Sequence, residues 1–396
     1  MVAQRMSLFS VSGTANARAA AKAAAASGKE IIDLSAGEIW AETPEAVRRG
    51  AVAAINRNLN RYTDTVGTEQ LREAIAKKLS VDTGQLWRAD EIAVTAGAKQ
   101  ALFNAALALL NPGDEVIIPA PYWTTFPAQV SIAGARPVFV DTRANGYVPR
   151  IEDIRAAISP STRAIVVNTP NNPTGAILDR ELLNGITELA LEHDFWVIFD
   201  ECYGNFVFEP GKHEHIAAVN PEARRRIVVV NSFSKSLTLT GWRLGYLAAP
   251  REVISAAKAL QSHTTSNPNV VAQHAVLAYF EDGDRSFERG LRARLALNRT
   301  RGLAILSRLR NVPPPPAQGG FYFYLDLSGL VGGRSRDGAI ATADDVANLL
   351  LREAGVASVP GSAFGDPTGM RLSYGIPVDL LERGLESLVD TLNGLS

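Results

Sequence analysis

The sequence predicts an α/β fold: a large domain with a mostly parallel seven-stranded sheet flanked by helices, and a smaller α+β domain drawn from the N- and C-terminal segments. Two observations carry this. Seven short apolar runs, Ile92 to Thr95, Glu115 to Ile118, Pro137 to Val140, Ala164 to Val167, Trp196 to Phe199, Ile227 to Val230 and Leu244 to Ala248, recur between helical patterns at 99–110, 123–133, 151–158, 179–193 and 250–260. Short strands alternating with helices indicate a parallel sheet covered on both faces. After about residue 290 the alternation stops, and 396 residues leave room for a second unit at roughly 100 to 200 residues per domain. The expected division is 1–45 as the N-terminal segment of the small domain, 46–290 as the large domain and 291–396 as the C-terminal small domain.

Taken in order, the chain opens with an Ala-rich stretch whose charges before Glu30 are Arg5, Arg18, Lys22 and Lys29, a composition shared with transit peptides. A helix is the favoured reading, because Ala has the highest helix propensity, Ser12, Gly13 and Thr14 supply a start before NARAAAKAAAASG, and Gly28 supplies a stop. No apolar run reaches the roughly 18 residues of a membrane span; ALFNAALALL is cut by Asn104 and ends at Asn111-Pro112-Gly113-Asp114. Beyond 290 an Arg-rich helical stretch leads to Pro313 to Pro316, a run that cannot be helical. An alternating aromatic strand (GGFYFYLDL), a polar loop at 329–338, a helix near 343–354 and strands at 356–359 and 370–374 complete the small domain.

Composition narrows the function. Forty Lys plus Arg against 41 Asp plus Glu give a net charge of −1, so nothing favours nucleic acid or an anionic membrane, which require a large basic excess. One Cys makes no intramolecular disulfide, and with neither a Cys cluster nor a helical HExxH no structural zinc framework is visible. The expectation is a soluble, cytoplasmic enzyme.

In open parallel sheets ligands gather at the carboxyl ends of the strands, and the unusual residues fall there. Ile92 to Thr95 leads into Ala96-Gly97-Ala98-Lys99, AIVV into NTPNNPTG (Asn168 to Gly175), WVIF into Asp200-Glu201, and IVVV into Asn231-Ser232-Phe233-Ser234-Lys235. Backbone N–H groups of Gly97, Ala98 and Lys99 at a helix start form a phosphate site, to which Ser232 and Arg243 add a hydroxyl and a guanidinium. Lys235 forms a Schiff base if its environment lowers its pKa. Asp200, ending an apolar strand, needs a cationic partner to stay charged, and a protonated pyridine nitrogen is one. Together these describe a pyridoxal phosphate site.

The motifs TAGAKQALFN, NTPNNPTG, FDECYG, SFSKSLTLTGWRLGY and RLSYG, in this order, resemble those of the class I, fold type I aminotransferases, over essentially the whole chain from about Ser12. The bacterial branch of aspartate and aspartate/prephenate aminotransferases is the most similar. The resemblance implies that Lys235 is the Schiff-base lysine and proton shuttle and Asp200 the partner of the pyridine nitrogen. It implies that Tyr203 and Asn172 bond the ring's phenolic oxygen and that Trp123 stacks on the ring. Gly97, Ala98, Lys99, Ser232 and Arg243 would hold the phosphate, with Tyr62 reaching the phosphate of a neighbouring subunit. Arg371 would clamp the substrate α-carboxylate with help from the Gly37 backbone. Amino acid and 2-oxo acid substrates, ping-pong transfer and a homodimer with shared active sites follow from the same resemblance.

Other readings fit single motifs less well. Ser232 to Lys235 also matches the SxxK of penicillin-binding proteins, but a strand precedes it and the SDN and KTG partners are missing. A non-catalytic sensor on this fold would need an appended DNA-binding element, and none is seen. Cys202 reads as a passive small residue, the His213-Glu214-His215 triplet as a solvated polar loop rather than a metal site, and Arg224 to Arg226 as a solvated helix end. The resemblance extends to substrate: Lys99 would offer its ammonium to a distal carboxylate, and Ser12 and Thr14 match hydroxyl positions of that pocket, which favours aspartate and glutamate. Ile39 and Trp40, in SAGEIWAET, depart from the branch, where a Pro and an acidic-aromatic pair stand. A specialised lyase or cyclase, or an aminotransferase for aromatic or other amino acids, is the alternative.

Overall fold

The computed structural model describes residues 2–335 and 338–395. Its centre is a seven-stranded sheet with the spatial order Ile92–Thr95, Gly245–Ala248, Ile227–Ser232, Trp196–Asp200, Thr162–Asn168, Glu115–Ala120 and Arg136–Asp141. Gly245–Ala248 runs antiparallel to both neighbours, and the other pairings are parallel. All seven expected strands are present. Successive residues point to opposite faces of a strand, and the two cores follow that alternation. Ile165, Val167, Val197, Phe199, Ile227 and Val229 enter one, while Ala164, Val166, Ile198, Val228 and Val230 enter the other. Burial of both faces is why these strands are near-continuous Val and Ile runs rather than alternating ones.

Helices Ala98–Leu109, Thr125–Ile132, Ile151–Ala156, Arg180–Glu192 and Arg251–Ser262 lie close to their expected positions. Asp179 caps Arg180–Glu192 by accepting from the Leu182 N–H at 2.9 Å. Three further helices, Glu45–Asn56, Glu69–Thr83 and Val270–Asp282, lie outside the strand–helix alternation that located the others. The Ala-rich N-terminal stretch is the helix Gly13–Ala26. Ser12 starts it in extended conformation but makes no side-chain cap bond; its hydroxyl meets Thr14 Oγ1 at 3.3 Å instead. No helix among the described residues is long and apolar enough to cross a membrane.

A second, antiparallel sheet takes the order Val359–Pro360, Gly369–Ser373, Tyr322–Asp326. The single strand expected at 356–359 is two. Val356–Ala357 pairs in parallel with Ile32–Asp33, whereas Val359–Pro360 pairs with Gly369–Ser373, so the chain changes sheets at buried Ser358. The stretch expected as a polar loop at 329–338 contains a short antiparallel pairing of Arg334–Ser335 with Gly338–Ala339; residues 336–337 lie outside the described residues. Nor is Arg224 to Arg226 a free helix end. Arg224 stacks on the Trp87 ring at 4.1 Å and reaches Glu91 at 2.7 Å, while Arg226 lies over Trp196 and pairs with Asp194.

Candidate active site

The carboxyl ends of adjacent strands bring the expected residues together. Trp196–Asp200 ends on buried Asp200. Beside it, Asn168 donates from Nδ2 to the Asp200 carbonyl at 3.1 Å and accepts the Asn172 N–H at 2.8 Å, fixing the turn that carries Asn172. Ile227–Ser232 runs into the short helix Phe233–Ser236, started by Ser232 Oγ accepting from the Ser234 N–H at 3.1 Å, and this turn presents Lys235. After Ile92–Thr95, Gly97 starts the helix Ala98–Leu109 at φ 79°. Glycine is required here, since the left-handed region disfavours side chains and a Cβ would lie 2.6 Å from Arg243 Nη2.

Lys235, Asp200, Asn172, Tyr203, Ser232, Arg243, Arg371, Trp123, Lys99, Ala98, Gly37 and Thr14 all line one cleft of about 530 Å³. Larger clefts of about 700 and 710 Å³ contain none of them. Gly97 stands behind the lining, its N–H taken by the Thr95 carbonyl at 2.8 Å. The anion-facing N–H groups therefore reduce to Ala98 and Lys99, which as the first helical residues have no intrahelical acceptor. Tyr62 is 88% exposed and away from the cleft in the single chain. Ser12 lines the neighbouring 700 Å³ cleft rather than this one.

Burial sets the electrostatics. It lowers the Lys235 ammonium to about 8, with Arg371 and Arg243 acting in the same direction, and Nζ donates to the Gly37 carbonyl. It raises the Asp200 carboxyl to about 6, against the pull of the Cys202 N–H bonded to Oδ1 at 3.0 Å. Lys99 is lowered by burial and by Arg243, and its Nζ stands 5.1 Å from the centre of the Trp123 ring. The buried Cys202 thiol is pushed well above its usual value, which keeps it an inert small residue.

Arg371, on Gly369–Ser373, donates from Nη1 to Asn172 Oδ1 and from Nη2 to the Ser35 carbonyl, both at 2.9 Å. Among the described residues its buried Nε has no hydrogen-bond partner. Tyr203 reaches Asn172 Nδ2 at 3.5 Å and the Tyr322 hydroxyl at 3.2 Å. Tyr322, which also packs under Arg371 at 4.4 Å, was missed in the sequence because it sits in an aromatic strand that reads as core. Glu38, joined to Arg18 at 3.2 Å, also lines the cleft.

This donor set suits pyridoxal phosphate. Arg243 and the start of the helix Ala98–Leu109 line one space that suits a phosphate, and a buried carboxyl raised to about 6 would be stabilised as an anion by a protonated ring nitrogen.

One expectation fails outright. His213 and His215 are not solvated: both turn inward on Glu201, with Nε2 and Nδ1 at 3.2 and 2.7 Å from Glu201 Oε2. Glu201 is fully buried, and although burial opposes its ionisation, the two rings hold its carboxyl well below the usual range.

Residues 29–388 match the family described as aminotransferase class I and II. An aspartate aminotransferase of Geobacillus stearothermophilus is 36% identical, the match covering 98% of each chain. An aspartate/prephenate aminotransferase of Thermus thermophilus is 38% identical over 99% of this chain and 98% of its own. The solved structure of the Thermus thermophilus aspartate aminotransferase with maleate superimposes with a TM-score of 0.92 at 36% identity, over 99% of this chain and 100% of that one. The chain belongs to the class I and II aminotransferases and is a pyridoxal-phosphate-dependent enzyme that moves an amino group between an amino acid and a 2-oxo acid.

Proposed function

We propose that the enzyme prefers acidic substrates, exchanging amino groups between aspartate or glutamate and the matching 2-oxo acids, in the cytoplasm and as a homodimer. The observation that carries this reading is the pair of cationic groups lining one cleft: Arg371, and Lys99 above Trp123. Two separated cations suit a dicarboxylate better than a neutral amino acid. Relatives named for aspartate, one of them solved with maleate, a dicarboxylate, support the same choice.

Bound pyridoxal phosphate supplies the electron sink and carries the amino group between the two half-reactions. Lys235 Nζ would hold the cofactor covalently and, as a free amine, would take up and return the proton at substrate Cα. A pKa of about 8 puts roughly a tenth of the amine in its free form at pH 7, against less than a thousandth at an ordinary lysine's value. Asp200 would keep the ring nitrogen protonated through charge pairing. Tyr203 and Asn172 orient the phenolic oxygen; the Tyr203 hydroxyl, raised well above its usual value by burial, acts as a neutral donor. Trp123 would stack on the ring, and Ala98, Lys99, Ser232 and Arg243 would bind the phosphate, with Gly97 giving Arg243 room. Arg371 orients the α-carboxylate with Gly37, and Lys99 with Thr14 faces the distal one. Tyr62, exposed in one chain, completes the phosphate site of a second.

Single-turnover mixing of the holoenzyme with a panel of amino acids tests the preference. Lys99→Gln should lower kcat/KM for aspartate by about tenfold or more while leaving that for alanine within about twofold; equal losses for both would remove Lys99 from substrate selection.

A further inference from the structure

Asp200 and Glu201 are consecutive, so their side chains leave the strand end in opposite directions. Asp200 enters the active-site cleft, whereas Glu201 enters a separate one of about 710 Å³. There His213 Nε2, His215 Nδ1 and a Glu201 carboxylate oxygen all lie within 4.8 Å of one another. The cluster is built rather than incidental. Gly204 makes room for it, since a Cβ there would sit 2.8 Å from His213 Nε2. Phe199 stacks on the His213 ring at 6.4 Å, the two imidazoles cross at 77° with centres 4.7 Å apart, and Asn231 Nδ2 holds the other Glu201 oxygen at 3.1 Å.

We propose that Glu201, His213 and His215 form a binding site for a divalent transition cation of the Zn²⁺ type, with its remaining coordination position open to the adjoining cleft. Two imidazoles and a carboxylate are a donor set that suits zinc and leaves a fourth position for water. At metal–ligand bonds of about 2.0 to 2.2 Å, tetrahedral ligand atoms stand about 3.3 to 3.6 Å apart. The Oε2 contacts of 3.2 and 2.7 Å approach this spacing, so modest side-chain rotation admits the ion. Asn231 fixes the carboxylate from the outer shell, the support such ligands require. The His–x–His spacing on the extended stretch before Ile216–Val219 places both rings on one side, which a helix at that spacing would not. Asp82, Glu281 and Glu288 line the same cleft, with Lys77, Lys78 and Arg285. Exchange of the ion for bulk water runs through that opening, apart from the active-site cleft.

The test uses the pyridoxal-phosphate-loaded enzyme, freed of metal by dialysis against a chelator and titrated with Zn²⁺ against a chromophoric competitor. One Zn²⁺ per chain is expected, weakened at least about tenfold in His215→Gln and in Glu201→Gln, with the cofactor's visible absorbance and far-UV circular dichroism reporting intact folding. If either variant misfolds, His213→Gln replaces it, and Co²⁺ titration of the wild type gives an independent reading: intense visible bands of a low-coordinate cobalt site are expected. Absence of stoichiometric Zn²⁺ binding, affinity unchanged in the variants, or only the weak spectrum of hydrated Co²⁺ would overturn the proposal and leave a purely hydrogen-bonded His–Glu–His cluster.

Discussion

Lys235 and Asp200 share one buried environment that acts on them in opposite senses, lowering the ammonium and raising the carboxyl. Because the folded pKa of Lys235 lies below the ordinary lysine value, its amine is protonated below about pH 8 and free above it. Apoenzyme should therefore capture pyridoxal phosphate at a rate that climbs with pH and levels off above about 8; a midpoint near that of free lysine would contradict the assignment. Lys235→Ala should lose multiple turnover, measured by coupled assay of the 2-oxo acid product. Arg371→Lys keeps the charge but not the fork of donors, and should lower kcat/KM by roughly 30-fold, about 2 kcal/mol, the scale of a charged hydrogen bond. Lys235 and Asp200 were legible because each stands at the end of an apolar strand, where a charge has no structural reason to be; Arg371, inside Gly369–Ser373, was read only from the family resemblance. Tyr322 was not legible, since a Tyr among Phe and Leu residues declares nothing until its hydroxyl meets Tyr203 across the fold. The inward turn of His213 and His215 was hidden for the same reason: their partner Glu201 is 12 and 14 residues away.

Among elements, the strands were the most legible, because burial on both faces demands uninterrupted Val and Ile. Less legible were elements whose partners lie far along the chain. The division of 356–359 between two sheets depends on Ile32–Asp33 and Gly369–Ser373, neither of which shares local patterning with it. The turn from Ile92–Thr95 into Ala98–Leu109 makes the sharpest prediction at this scale. Gly97→Ala places a Cβ against Arg243 at a left-handed φ, with backbone strain of about 1 kcal/mol or more. The expected result is at least about a fivefold weaker cofactor Kd by equilibrium titration, with the global melting temperature shifted by only a few degrees; unchanged cofactor affinity would separate this turn from the phosphate site.

At the scale of the whole molecule, the near-neutral charge excluded broad anion binding yet said nothing of placement. Folding concentrates Lys99, Lys235, Arg243 and Arg371 in one cleft, and that convergence requires the complete sheet together with the Gly369–Ser373 strand. Tyr62 and the apolar residues Val2, Met6, Leu8 and Val11 are exposed in the single chain, and the proposed homodimer would place Tyr62 at a second copy's site. Sedimentation should give a dimer, and Tyr62→Phe should weaken cofactor binding while the dimer persists; a monomer with full activity would refute shared sites. The central claim is tested most directly by rapid mixing of holoenzyme with one equivalent of L-aspartate, following cofactor absorbance and released oxaloacetate together. The account predicts loss of the visible band with stoichiometric oxaloacetate, faster than with alanine or phenylalanine and absent in Lys235→Ala; an aspartate reaction no faster than that of the neutral amino acids would contradict it.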